Sequence, residues 1–318
     1  MKVHTNGGNN TVIGRAAMDD TDAGSTSLGS NANVFIGVDS GGGTWADAAS
    51  NYNVAVGNNT MDAALNGALM NIAIGYNAAT DLTTASGSVL IGNAAGGELT
   101  TGNNNIAVGN SAMNGAVTTG DNNIAIGASA GDALTSGKKN VLMGENAGGA
   151  INTGYSNVTV GRNAGGVLAG GANNTFIGDY AGASTTSVLS VVAIGTACME
   201  NGNLTTDANH TVGIGASALS ALTSGRYNTA IGYQALGTNA DGDSNTAVGY
   251  QALATFNAAI SGRGNNTAVG YNAATFLSEG DNNTVVGAAA SGTLSTGSNN
   301  TAVGNVAGYS LSTDSKNT

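Results

Sequence analysis

The chain of 318 residues has no proline, a single cysteine, a single tryptophan and few charges, at 8% of its residues. Without proline, and without glycine at every third position, a collagen triple helix is excluded. One cysteine makes no internal disulfide, so no disulfide framework supports the fold. No apolar run approaches the roughly 20 residues of a membrane-spanning helix, and no membrane insertion is expected. Eight Lys and Arg stand against nineteen Asp and Glu, a formal net charge of −11. That leaves no basic footprint for nucleic acid or an anionic membrane. His4 and His210 offer no second ligand at metal spacing, and no serine or cysteine triad is visible. No cofactor is therefore expected. Met1 to Gly8 hold no apolar signal core.

Glycine is abundant, at 52 residues, and 41% of the chain is hydrophobic. The apolar residues are periodic, which argues against disorder. A six-residue stretch, in its last copy Asn299-Asn300-Thr301-Ala302-Val303-Gly304, returns from end to end. Its final glycine falls at 14, 37, 57, 75, 92, 109, 127, 144, 161, 178, 195, 215, 232, 249, 270, 287 and 304. Ten of the sixteen intervals are 17 residues, two are 18, and the others are 20, 20, 21 and 23. A short, nearly fixed period marks a solenoid and not a globular enzyme.

Numbered from this anchor glycine, the residue three before it is always β-branched, and the residue one before it is Val or Ile except at Met143. Two stiff, branched residues two apart share one side of a strand, which is expected to face inward. The residue between them, Ala in nine copies, would then form a flat outer face. The anchor suits a sharp corner. Ala stands three after it in fourteen copies, as an inner corner, and a larger apolar residue such as Leu82, Leu99, Leu134 or Phe256 stands seven after it, as core filler. The expectation is an all-β fold, a parallel β-solenoid of the β-roll type with about 17 coils of about 17 residues. It would be a single domain over 1–318, with the longer repeats at 14–57 as an N-terminal cap. At about 4.8 Å per coil it forms an elongated rod of about 80 Å.

Asn lies four before the anchor in fourteen copies, among them Asn105, Asn123, Asn140, Asn157, Asn174 and Asn300. Stacked coils would align these amides as a structural ladder. The core of each coil is small, so association between copies through the flat Ala/Gly faces is expected. The chain ends inside a strand at Lys316-Asn317-Thr318. That end is expected to be covered by a continuation, or by the first coil of another subunit in a head-to-tail filament.

Units such as Asn-Thr-Ala-Val-Gly-Tyr-Gln-Ala-Leu, at Asn245 to Leu253 and nearly again at Asn228 to Leu236, resemble the head repeats of trimeric autotransporter adhesins. They are also similar to glycine-rich repeats of bacteriophage tail fibres. The resemblance implies left-handed parallel β-rolls assembled as homotrimers, attachment to cell surfaces, and an extracellular, cell-surface or virion location. The longer period departs from the adhesin pattern, in which a coiled-coil stalk and a membrane anchor are expected after the head.

Several residues invite a functional reading. Tyr76, Tyr233, Tyr250 and Tyr271 directly follow anchors, and the last three fall in consecutive coils. Such a stripe can grip a cell-surface glycan or a receptor, or simply pack as a ladder. Trp45, in a long early interval, could stack on a sugar. Asp241, Asp243 and Asn245 have the spacing that opens a calcium loop, but its glycine and closing glutamate are missing. The acidic Asp19-Asp20-Thr21-Asp22 is a second cation candidate, set against a capping loop. Glu145, Arg162 and Asp179 take one place in successive repeats, as in a charge-paired ladder, and Cys198 replaces a corner Ala. The leading expectation is a non-enzymatic, adhesive and self-assembling fibre. A glycan-degrading spike enzyme is the alternative, with Glu98, Glu145, Glu200 or Glu279 as acids. An ice-binding solenoid, prompted by Thr229, Thr246, Thr267, Thr284 and Thr301, ranks below both because those threonines share the register expected to face inward.

Overall fold

The computed structural model describes residues 7–19, 29–45, 48–257 and 262–317. The chain forms two compact units, Met1–Ser156 and Asn157–Thr318. Both are parallel β-solenoids built from three-residue strands, one per repeat. The first unit holds eight strands, from Thr11–Ile13 to Val141–Met143; the second holds nine, from Val158–Val160 to Thr301–Val303. Consecutive strands pair in strict register: Val89, Leu90 and Ile91 face Ile106, Ala107 and Val108 in the first unit. In the second, Thr246, Ala247 and Val248 face Thr267, Ala268 and Val269. Among the described residues almost no helix is present, and a 3-10 turn at Thr206–Ala208 occupies one of the long intervals.

The strands stop after three residues because the anchor glycine leaves the β region. Its φ lies between 129° and 142° in every repeat, where a side chain is strained. Space forbids one as well: a Cβ at Gly232 would lie 2.3 Å from the Gly249 carbonyl oxygen. Left-handed residues turn the rest of the coil, as at Asn104 (φ 56°), Ser111 (φ 53°) and Met113 (φ 53°). Their N–H groups reach alternately to the two neighbouring coils. Ser111 donates to the Asn93 carbonyl at 2.9 Å, and Met113 donates to that of Ala130 at 3.0 Å. Turn backbone is thereby paired as fully as strand backbone.

The side-chain alternation is the reverse of the one expected from the sequence. The middle residue of the strand points inward and is fully buried, as at Phe35, Ala55, Leu90, Leu142, Phe176 and Ala247. The β-branched residues on either side lie at the surface, half-buried or exposed. The physical reason is the thinness of the coil. Its interior takes one side chain per strand, together with the corner Ala, the residue four after the anchor and the filler seven after it. In several coils volume is balanced within that set. Where the middle residue is Phe176, Gly182 stands four after the anchor, and a Cβ on it would meet the Phe176 ring at 3.0 Å. Where the middle residue is Ala193, Ala230 or Ala247, Met199, Leu236 or Leu253 fills the space, each fully buried. The flat Ala face expected to join copies is therefore the core.

The Asn rank runs through the same interior. Asn123 donates from both its backbone N (2.9 Å) and its Nδ2 (3.1 Å) to the Asn105 Oδ1, and from Nδ2 to the Gly137 carbonyl (2.9 Å). Asn140 repeats the pattern on Asn123. In the second unit Asn174 does so on Asn157, and Asn300 on Asn283. Each amide satisfies backbone groups of its neighbours as well as the next amide, which is how a polar row lies buried at little cost.

Candidate functional site

Three features could meet a partner: the outward strand face, the tyrosine row, and a groove on the turns of the second unit. The outward face carries two β-branched ranks. In the first unit these are Ile and Val, with Ile72, Ile74, Ile91, Ile126 and Met143 all exposed by more than a third. In the second unit the first rank passes from a mixture of Val and Thr to Thr alone, with Thr229, Thr246, Thr267, Thr284 and Thr301 pointing outward, and the second rank is Ile and Val. Rows of exposed aliphatic side chains on a sheet are what an interaction surface presents.

Tyr233, Tyr250 and Tyr271 are stacked nearly parallel, with centroids 5.3 Å and 5.2 Å apart. Their faces cover one another, so the row offers outside molecules mainly its edges and hydroxyls. Tyr76 is exposed in the first unit. Trp45 is not available to a sugar: it is 1% exposed, packs edge-on against Phe35 at 5.6 Å and donates from Nε1 to the Gly41 carbonyl at 3.0 Å. It plugs the early repeats, and its expected contact role is corrected accordingly.

The calcium candidates are occupied by the protein itself. Asp241 accepts from the hydroxyls of Thr223 (2.7 Å) and Ser224 (2.6 Å). Asp243 accepts from the Arg226 backbone N at 2.9 Å and pairs with its guanidinium at 3.3 Å. Asn245 belongs to the buried ladder. These oxygens do not converge on an ion, and among the described residues no group of three His, Cys, Asp or Glu is placed to hold a metal. Of the other acidic candidate, Asp20, Thr21 and Asp22 lie outside the described residues. Arg162 and Asp179 form a bidentate pair at 3.0 Å and 2.9 Å, which holds the Asp179 carboxyl below its ordinary range.

Cys198 is buried, and burial pushes its thiol up to about 12. It has the character of a small apolar residue and not of a nucleophile. Among the glutamates, Glu98 has a raised pKa from burial, then from the charge of Asp81 and a hydrogen bond with it. Glu145 and Glu279 are exposed, and Glu200 is half-buried.

The groove was not foreseen from the sequence. It lies beside the Gln234–Gln251 amide pair, in which Gln251 Nε2 donates to Gln234 Oε1 at 2.7 Å. A hollow of about 420 Å³ is floored by the small Gly237 and Ala254 and closed by Phe276. A second, of about 250 Å³, continues from Gln251 and Phe276 past Ala289 and Gly292 to Tyr309. Phe276 is 61% exposed and Tyr309 54%. The available signal was the replacement of small or hydroxyl turn residues by these two aromatics, both on ranks where most repeats carry neither.

Comparison with protein-family models finds no match, and comparison with curated proteins finds none.

Proposed function

We propose that the chain is a non-enzymatic structural and adhesive fibre protein of the extracellular space or a virion, which associates with copies of itself through the outward β-branched strand face. The observation that supports this reading is that face: Ile72, Ile74 and Ile91 lie outward on two neighbouring strands of the first unit, and Ile126 lies outward two strands further on. Burying such residues contributes about 25 cal/mol per Å². Three copies about an axis is the arrangement that the resemblance to adhesin heads implies. Uniform repetition fits a role in which the same surface is presented many times. The test is sedimentation of the wild-type chain and of Ile74→Lys/Ile91→Lys. The wild type should sediment as a multiple of 30.6 kDa, and the variant should shift to the single chain with its circular dichroism unchanged. A wild-type chain that stays at 30.6 kDa at high concentration contradicts the reading.

A second reading draws on the threonines of the second unit. Their register is outward and not inward: Thr229, Thr246, Thr267, Thr284 and Thr301 form a rank at the surface beside a rank of Ile and Val. Ice crystals grown in the protein's presence should then be faceted. Ordinary growth removes this reading.

A further inference from the structure

The turn groove of the second unit has a chemistry that the strand face lacks. Its lining carries no charged side chain, although the chain as a whole bears a formal net charge of −11. It offers instead primary amides, threonine hydroxyls and two exposed aromatic rings. The Gln251-to-Gln234 bond uses one N–H of Gln251 and the oxygen of Gln234. The Gln251 oxygen and the Gln234 amino group remain at the groove as an acceptor and a pair of donors. Thr255 spends its hydroxyl hydrogen on the Thr275 carbonyl at 2.7 Å, which leaves its lone pairs as acceptors. Asn272 has a buried Oδ1 with no hydrogen-bond partner. Its half-exposed amide gains one by turning toward a donor supplied from the groove, which recovers part of the cost of an unsatisfied group. Phe276 lines both hollows and is largely exposed.

We propose that this groove binds a neutral, hydroxyl-rich glycan, with the Phe276 ring stacked on the apolar face of one pyranose. Gln234, Gln251 and Asn272 hydrogen-bond the hydroxyls of that sugar and its neighbour. An acidic polysaccharide or a phosphate finds no cation here. An apolar peptide would desolvate the amides without replacing their bonds. A sugar supplies both partners at once, an apolar ring face and a rim of donors and acceptors. The larger hollow falls in the size range of small-molecule sites. The inference rests on the adhesive half of the function proposed above, and it gives that half a ligand class.

The experiment is affinity electrophoresis of the full chain through gels containing a soluble β-glucan, a mannan or a galactan. Alginate serves as an acidic control and a soluble polar peptide as a second competitor. At least one neutral polymer should retard the chain. Phe276→Ala should weaken that retardation about tenfold or more, a loss of about 1.4 kcal/mol, and Gln251→Ala should weaken it to a lesser degree. Tyr155→Ala, at an exposed ring of the other unit, should leave it unchanged. No retardation by any neutral polymer, equal retardation of Phe276→Ala, or retardation only by alginate or competition only by the peptide would each overturn the proposal. Sedimentation of Phe276→Ala separates the two ideas, because self-association through the strand face does not involve this ring.

Discussion

Gly182 and Met199 occupy equivalent places in consecutive coils, both left-handed, at φ 59° and 53°. What differs is the residue that faces them from the strand, Phe176 in one coil and Ala193 in the next. These two coils fill the same space in two ways, one with a large strand centre over glycine and the other with alanine over methionine. This predicts a rescue. Phe176→Ala alone should destabilise the fold by about 3–5 kcal/mol through the cavity it leaves. Gly182→Met alone should cost about 1–3 kcal/mol by overpacking. The double variant should recover most of both losses, because it rebuilds the arrangement of the neighbouring coil. Chemical denaturation of the three variants measures this, and additive losses would show that the two positions do not share one space.

An element here is one coil, and its limits were legible in the sequence. The anchor glycine marks where each strand ends, and the Asn rank is recognisable because its side chain must serve the same backbone groups in every repeat. Asn245 illustrates the load on one rung. It donates twice to the Asn228 Oδ1, and its own Oδ1 accepts from the Asn266 backbone N (3.1 Å) and Nδ2 (3.2 Å). Asn245→Ala leaves buried groups unpaired on both sides and should cost about 2–4 kcal/mol, read as a lower denaturation midpoint at unchanged slope. The facing of the strand was not legible from the β-branched pair alone, since Val and Ile suit either side of a sheet. The signal that decides it is the pairing of large with small residues between the strand centre and the fourth position after the anchor. It emerges only when repeats are compared: Leu90 with Gly96, Leu142 with Gly148, Ala107 with Met113. The groove was still less accessible, because Gln234, Gln251, Phe276 and Tyr309 come from four different repeats.

At the scale of the whole molecule, the outward strand face is the surface that the proposed self-association would use. A sequence reading that put the alanines outside gave the chain a flat, weakly apolar partner surface; the structure gives it ridged rows of Ile, Val and Thr. The most direct test compares adjacent positions on one strand. Burial leaves the Cys198 thiol at about 12 and unreactive, so an introduced cysteine is the only thiol a bismaleimide finds. With Ile74→Cys, a short bismaleimide should link one chain to another, since the proposed association sets the outward face of one copy against that of the next. With Ala73→Cys, whose side chain points into the coil, no link should form. Cross-linking of Ala73→Cys, or none with Ile74→Cys, would contradict the account.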